Sequence, residues 1–296
     1  MRRSILHDLL ETSIMRPDGR RLTWVEHGDP SGEPILYCHG TPGCGAEAVA
    51  LAKAADDQGA RILGVNRPGF AGSSFQPGRT ILDWPEEAAA VADEIGARQL
   101  PVFGYSGGGP YALACGAQRP DRFPVVGVAA GVGPFEGRVS LARMSPSDRR
   151  LTRLALHAPP LGRAVLRAAR AGAAVAPGVG LRSWRAKLPQ ADQRVLDDVD
   201  IPARDAMFFI VDAMRHGARG AIHDYRLLSQ PWGFDVGSVT VPVRWWHGAD
   251  DRTVTLEEAR AVTSMIEDVT VSFVPETGHL LLAAMAREIV SSLVGH

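Results

Sequence analysis

The pentapeptide Gly104-Tyr105-Ser106-Gly107-Gly108 is the segment of this sequence best suited to chemistry. It follows the apolar run Leu100–Phe103, which reads as a β-strand, and precedes a helical pattern from about Pro110 to Gln118. A serine at the tip of a sharp strand-to-helix turn carries backbone strain and presents its hydroxyl outward. The residues two before and two after it come close together, and glycine at 104 and 108 removes the clash that side chains would make there. Gly109 relaxes the packing further, and Pro110 fits the first helical turn, where no N–H bond is lost. The helix start aims partial positive charge and free N–H groups at the same point, so an oxyanion formed by Ser106 would meet the Gly107 N–H. Such residue types describe nucleophilic attack on a carbonyl carbon. Taken alone, the five residues would also suit a glycine-rich helix start with a surface serine; the strand before them favours catalysis.

A serine so placed needs a sheet to hold it. Short apolar, β-rich runs alternate with helical patterns, which predicts a mostly parallel sheet covered on both faces. Thr12–Met15 and Leu22–Glu26 flank the turn Pro17-Asp18-Gly19 and are expected to pair antiparallel. Further strands are expected at Pro34–Cys38, Arg61–Val65, Leu100–Phe103, Val125–Ala130, Val241–Trp246 and Val269–Val274, eight in all. Trp84–Gly96 reads as a helix with acidic residues near its start and glycine at its end, and Leu280–Val294 as a closing helix. From Arg138 to Leu228 strand signals vanish and Ala, Leu and Arg dominate, with Ser145-Pro146-Ser147-Asp148 as a helix start. This stretch holds sixteen Lys and Arg against eight Asp. It is expected to be a helical cap, residues 138–230, inserted between core segments 1–137 and 231–296.

The chain resembles the α/β-hydrolase superfamily over nearly its whole length. Four separated motifs carry the resemblance: His39-Gly40-Thr41-Pro42-Gly43, Asn66-Arg67-Pro68-Gly69-Phe70-Ala71-Gly72-Ser73, the serine turn, and His247-Gly248-Ala249-Asp250-Asp251-Arg252-Thr253-Val254 leading to Gly278-His279. The resemblance implies an α/β-hydrolase fold: an eight-stranded, mostly parallel sheet flanked by helices. It implies that the loop after the third strand supplies a second oxyanion donor from the residue following His-Gly, the Thr41 N–H; Pro42 has none to offer. His39 then looks like a loop-stabilising residue. Family members commonly carry Asp where this chain has Asn66, and Asn66–Ser73 is expected to be structural.

The family's chain order is serine, then acid, then histidine. After residue 251 only His279 and the terminal His296 remain, and His279 stands between a strand and a helix, where the family places its base. The family pattern His-Gly-x-x-Asp-x-x-Val matches the acid to Asp251, with Val254 completing it; neighbouring Asp250 is expected to cap the helix beginning near Thr255 or to stay solvated. Gly131-Val132-Gly133-Pro134 offers no carboxylate at the alternative acid position after the sixth strand.

The expected reaction is hydrolysis of a small carboxylic ester, lactone or thioester through an acyl-enzyme at Ser106, with His279 as base and Asp251 orienting it. Carbon–carbon bond hydrolysis and cofactor-free lyase or oxygenase chemistry on the same fold are alternatives, as is a receptor-like binding module. Tyr105, Phe70, Phe208, Phe209 and Leu280 are candidate substrate contacts, although apolar residues at helical spacing more often belong to a core. No metal or cofactor is implied. A net charge of −1 gives no reason to expect nucleic acid, and a small molecule is the expected partner. The N-terminal MRRSILHDLL lacks an apolar run suited to a signal peptide, no stretch suits a bilayer span, and three irregularly spaced cysteines fit a reducing, cytoplasmic setting.

Overall fold

The computed structural model describes residues 10–134, 138–199 and 202–295. Eight strands form one sheet: β1 Glu11–Met15, β2 Arg21–Gly28, β3 Glu33–Cys38, β4 Ala60–Asn66, β5 Val102–Tyr105, β6 Val126–Ala129, β7 Val243–Gly248 and β8 Val269–Val274. Their spatial order is β1-β2-β4-β3-β5-β6-β7-β8. β2 pairs antiparallel with β1 and β4, and every other pairing is parallel. Each expected strand is present, β8 with the expected bounds and the others with ends shifted by one or two residues. β5 begins at Val102, after Pro101, which has no N–H to give the ladder. It continues through Tyr105 directly to Ser106.

Alternation of side chains along the inner strands builds two cores, one on each face. Leu36, Cys38, Val102, Val126, Val128 and Trp245 face α2 Trp84–Glu94 and α3 Gly109–Gln118. Ile35, Tyr37, Phe103, Val125, Ala129 and Trp246 face α1 Val49–Gln58 and the C-terminal helix Leu282–Ser291. Burying each such large apolar side chain contributes roughly 1.5–3 kcal/mol before ordering costs. Helix α1 has no counterpart among the sequence expectations. It starts without a side-chain cap and ends on the left-handed Gly59. The closing helix is shorter than expected, because Leu280 belongs to the loop before it.

Seven α-helices lie between β6 and β7 among the described residues: 138–143, 146–157, 159–175, 177–185, 190–199, 203–213 and 219–228. Ser145 caps the second by accepting the Asp148 N–H at 3.2 Å. Ala155, Leu166, Ala213, Met214, Ile222 and Tyr225 from this insertion share a cluster with Val25, Cys44, Ala46 and Phe70 of the sheet region. The insertion therefore packs over the carboxyl ends of the strands. Among the described residues, no helix is long and apolar enough to cross a membrane.

The chain builds β4 on one side of β3 and then β5 on the other. Loops leaving the two strands diverge there and open a crevice at their carboxyl ends, the usual ligand position in open α/β sheets. Thr41 and Ser106 lie at that crevice.

Candidate active site

Ser106 leaves β5 with φ of +52°, a left-handed conformation that costs a non-glycine residue of order 1–3 kcal/mol. The neighbours force it. A Cβ at Gly104 would lie 2.5 Å from the Gly108 carbonyl oxygen, and one at Gly108 would overlap the Cys38 carbonyl. Only glycine allows the strand and the following turn to approach so closely. Ser106–Gly108 form a 3₁₀ turn that runs into α3, and the first N–H groups of such a turn have no intrahelical acceptor.

Two loops deliver the partners. His279, after β8, brings Nε2 to 3.0 Å from Ser106 Oγ and Nδ1 to 2.7 Å from Asp251 Oδ2. A carboxylate only accepts, so Nδ1 carries the proton and Nε2 is left to receive the serine's. Asp251, after β7, is held by Oδ1 accepting Thr253 N–H at 2.7 Å and Val254 N–H at 3.0 Å. Asp250 points into solvent, and Thr255 caps the next helix with its own hydroxyl. The sequence alternatives for Asp250 thus resolve to the solvated one.

Electrostatics in the triplet favour charge separation. Burial pushes His279 down, yet the charge and hydrogen bond of Asp251, with Asp192 and Asp148 adding, hold it above the usual imidazole value. Burial pushes Asp251 up, and His279, His247 and the backbone donors more than reverse this, so its carboxyl is held low. His247 donates from Nε2 to the Val254 carbonyl at 3.0 Å and so shapes the acid loop.

Thr41 and Gly107 face one another beside Ser106, and all three line a cavity of about 80 Å³. Its walls also include Met144, Asp148 and Thr152 of the insertion, Tyr225, Leu228 and Ser229 at the insertion's end, and Val132, Val254 and Glu258. Phe70, Tyr105, Phe208, Phe209 and Leu280 are not among the lining residues. Phe70 is fully buried against His39, with ring centroids 4.8 Å apart. Tyr105 donates its hydroxyl to the His279 carbonyl at 3.0 Å and so supports the histidine loop from below. Phe208 and Phe209 stack edge to face and pack on the cluster that the insertion shares with the sheet region. The Leu280 N–H bonds Asp192.

A buried ionic cluster organises the Thr41 loop. Asp224, in the last insertion helix, accepts from Arg67 Nη2 at 2.8 Å and Nε at 3.0 Å, from Tyr111 Oη at 2.9 Å, and from Arg79. Thr41 Oγ1 lies 3.2 Å from the same carboxylate. Arg67 also bonds the carbonyls of His39 and Gly40 and the Thr41 hydroxyl. Burial raises the Asp224 carboxyl, but the two guanidinium groups hold it well below the usual range. His39 accepts the Arg67 N–H at Nε2 and donates from Nδ1 to Gly40 O at 2.8 Å. Burial drives it well down, so it is a neutral strut. Glu47 accepts the Gly40 N–H at 2.8 Å, and burial pushes its carboxyl up to about 7. Asn66 accepts from Gly45 N–H at 2.7 Å and donates to Glu11 at 2.9 Å and Thr23 at 3.0 Å. An aspartate at this position could not make the last two bonds.

Sequence reasoning named neither Asp192 nor Asp224, and missed the parts that Glu47 and Arg79 play. The single local signal was Asp224 on a helix face otherwise occupied by Ala221, Ile222 and Tyr225, all buried. No group of three or more His, Cys, Asp or Glu among the described residues is arranged to hold a metal ion.

The fold and the serine turn define an α/β-hydrolase. The family described as alpha/beta hydrolase fold matches residues 33–283, and the chain belongs to it as a hydrolase. A hydrolase from Pseudomonas aeruginosa PA01 superposes with a TM-score of 0.69 at 16% identity, covering 97% of this chain and 98% of that one. A thermophilic esterase from Thermogutta terrifontis gives 0.68 at 18% identity, covering 96% of each chain. The enol-lactonase from Burkholderia xenovorans LB400 gives 0.68 at 14%, covering 95% of this chain and 98% of that one. At such identities the likeness speaks for the fold. No curated protein sequence matches the chain.

Proposed function

We propose that the protein hydrolyses small carboxylic esters, lactones or thioesters through an acyl-enzyme on Ser106. The observation that carries this reading is the unbroken chain from Ser106 Oγ to His279 at 3.0 Å and on to Asp251 at 2.7 Å, opening on a cavity. Ser106 Oγ attacks the carbonyl carbon while His279 Nε2 takes its proton, and the oxyanion is held by the Gly107 and Thr41 N–H groups. The leaving alcohol or thiol takes that proton as its bond to the acyl carbon breaks. Water then attacks the acyl-enzyme, giving its proton to His279, and the carboxylic acid departs with Ser106 regenerated. Asp251 stabilises the imidazolium in both steps.

Residues 138–230 act as a cap that shapes the acyl and alcohol pockets, with Tyr225 and Leu228 as walls. The three cysteines are free and buried, in keeping with a reducing compartment. An ester panel of graded acyl length, run on wild type and Ser106→Ala, tests the reading. Loss of turnover in the variant is expected. Turnover that survives rules out an acyl-enzyme and points to lyase or oxygenase chemistry with His279 as base. Binding without turnover in wild type points to a receptor-like module.

A further inference from the structure

Asp192 lies in the insertion helix Gln190–Val199, yet the loop that carries His279 wraps its carboxylate. Oδ1 accepts the Leu280 N–H at 2.8 Å. A Cβ at Gly278 would sit 2.5 Å from Asp192 Cγ and 2.6 Å from Oδ2, so the loop backbone lies flush against the carboxylate. The side chain is fully buried, and Oδ2 has no hydrogen-bond partner. A carboxyl in such a place is expensive unless donors hold it, and its described hydrogen-bond partner is a backbone amide rather than a cationic side chain. An apolar helix residue would have filled the same space without that penalty.

We infer that Asp192 is a positioning residue for the base: it grips Gly278–Leu280 from the insertion, setting the reach of His279 to Ser106 and tying that reach to insertion docking. The inference rests on the reading of His279 as general base. Tyr105 grips the same loop from the sheet side, through its hydroxyl on the His279 carbonyl at 3.0 Å. The His279 backbone is thus held from both sides, by Asp192 above and Tyr105 below. The negative charge of Asp192 also favours the imidazolium, together with Asp251 and Asp148. Glu47, Tyr105 and His247 are the other titratable groups near the ring.

The test compares Asp192→Asn and Asp192→Ala with wild type in the full chain, reading kcat, KM and the pH profile of kcat/KM on a neutral ester. Melting curves report folding. The Asn variant keeps an acceptor for the Leu280 N–H but loses the charge. Its imidazolium is less stabilised, so the acidic limb is expected to move to lower pH by about half a unit or more. The Ala variant loses the acceptor, and kcat is expected to fall on the order of 10- to 100-fold with KM near wild type. A contact that serves stability alone would move the melting temperature and neither readout. An Asn variant with the wild-type limb, or a folded Ala variant with wild-type kcat, overturns the inference. Should the Ala chain fail to fold, the Asn limb decides. Wild-type turnover that survives Ser106→Ala would instead sink the acyl-enzyme reading, so the two failures are distinguishable.

Discussion

Replacing Asp251 by Asn probes the hydrogen-bond polarity on which the site depends. In the native site Oδ1 is occupied by the Thr253 and Val254 N–H groups, and Oδ2 faces His279 Nδ1 at 2.7 Å. An asparagine would keep its oxygen on the two backbone donors, which turns its NH₂ toward Nδ1. Two donors then face each other. The imidazole responds by moving its proton to Nε2, where it opposes the Ser106 hydroxyl instead of accepting from it. Geometry survives and basicity is lost, so kcat is expected to fall on the order of 10⁴-fold, the size seen when a triad acid is made an amide. That is about 5 kcal/mol of barrier. Asp250→Asn is the matched control, because its side chain is in solvent. Steady-state hydrolysis of a chromogenic acetate ester, with circular dichroism to confirm folding, reads both. A large loss in the Asp250 variant beside near-normal turnover in the Asp251 variant would refute the reasoning.

Other expectations follow from the same contacts. Because His279 is held above the ordinary imidazole value of 6.5, the inactive imidazolium persists to higher pH. The acidic limb of kcat/KM should therefore have its midpoint above 6.5, and a midpoint below it contradicts the electrostatics. Burial pushes the Glu47 carboxyl up to about 7, in the same range, and its charge interacts with His279, so Glu47→Gln is the control: a limb whose midpoint stays above 6.5 in that variant belongs to His279. Asp224→Asn strands two buried guanidinium groups and should destabilise the fold by about 3–5 kcal/mol in urea titration, with kcat also reduced as the Thr41 loop loosens. Since the Asp224 carboxyl is depressed on folding, its contribution is complete above its unfolded value and fades only as pH falls toward the folded one. A loss under 1 kcal/mol would show that the cluster is not an anchor. Asn66→Asp replaces two donated bonds with a carboxylate facing Glu11 and should cost about 1–3 kcal/mol; equal stability would refute that account.

The strands and the loops that carry Ser106, Asp251 and His279 were legible because their signals are local. Short apolar runs for the strands, glycine at tight turns and the spacing from His247 to Val254 all act within a few residues. Asp192 and Asp224 were not legible, since their partners stand on loops far away in the chain and only tertiary packing joins them. The aromatic pair Phe208 and Phe209 shows the same limit. Their apolar character announces burial, but not which apolar surface receives them, and they pack on the cluster joining the insertion to the sheet region rather than on the cavity. Helix α1 was missed because it starts without a side-chain cap and its alanine-rich pattern gives little contrast between faces.

The central claim is that Ser106 is an activated nucleophile. Intact-protein mass spectrometry after incubation with a fluorophosphonate, followed by peptide mapping, tests it most directly. One adduct on Ser106, formed rapidly in wild type and slowed by orders of magnitude in His279→Ala, is the expected result. A wild-type chain that stays unlabelled, or labels elsewhere while Ser106 remains free, would contradict it.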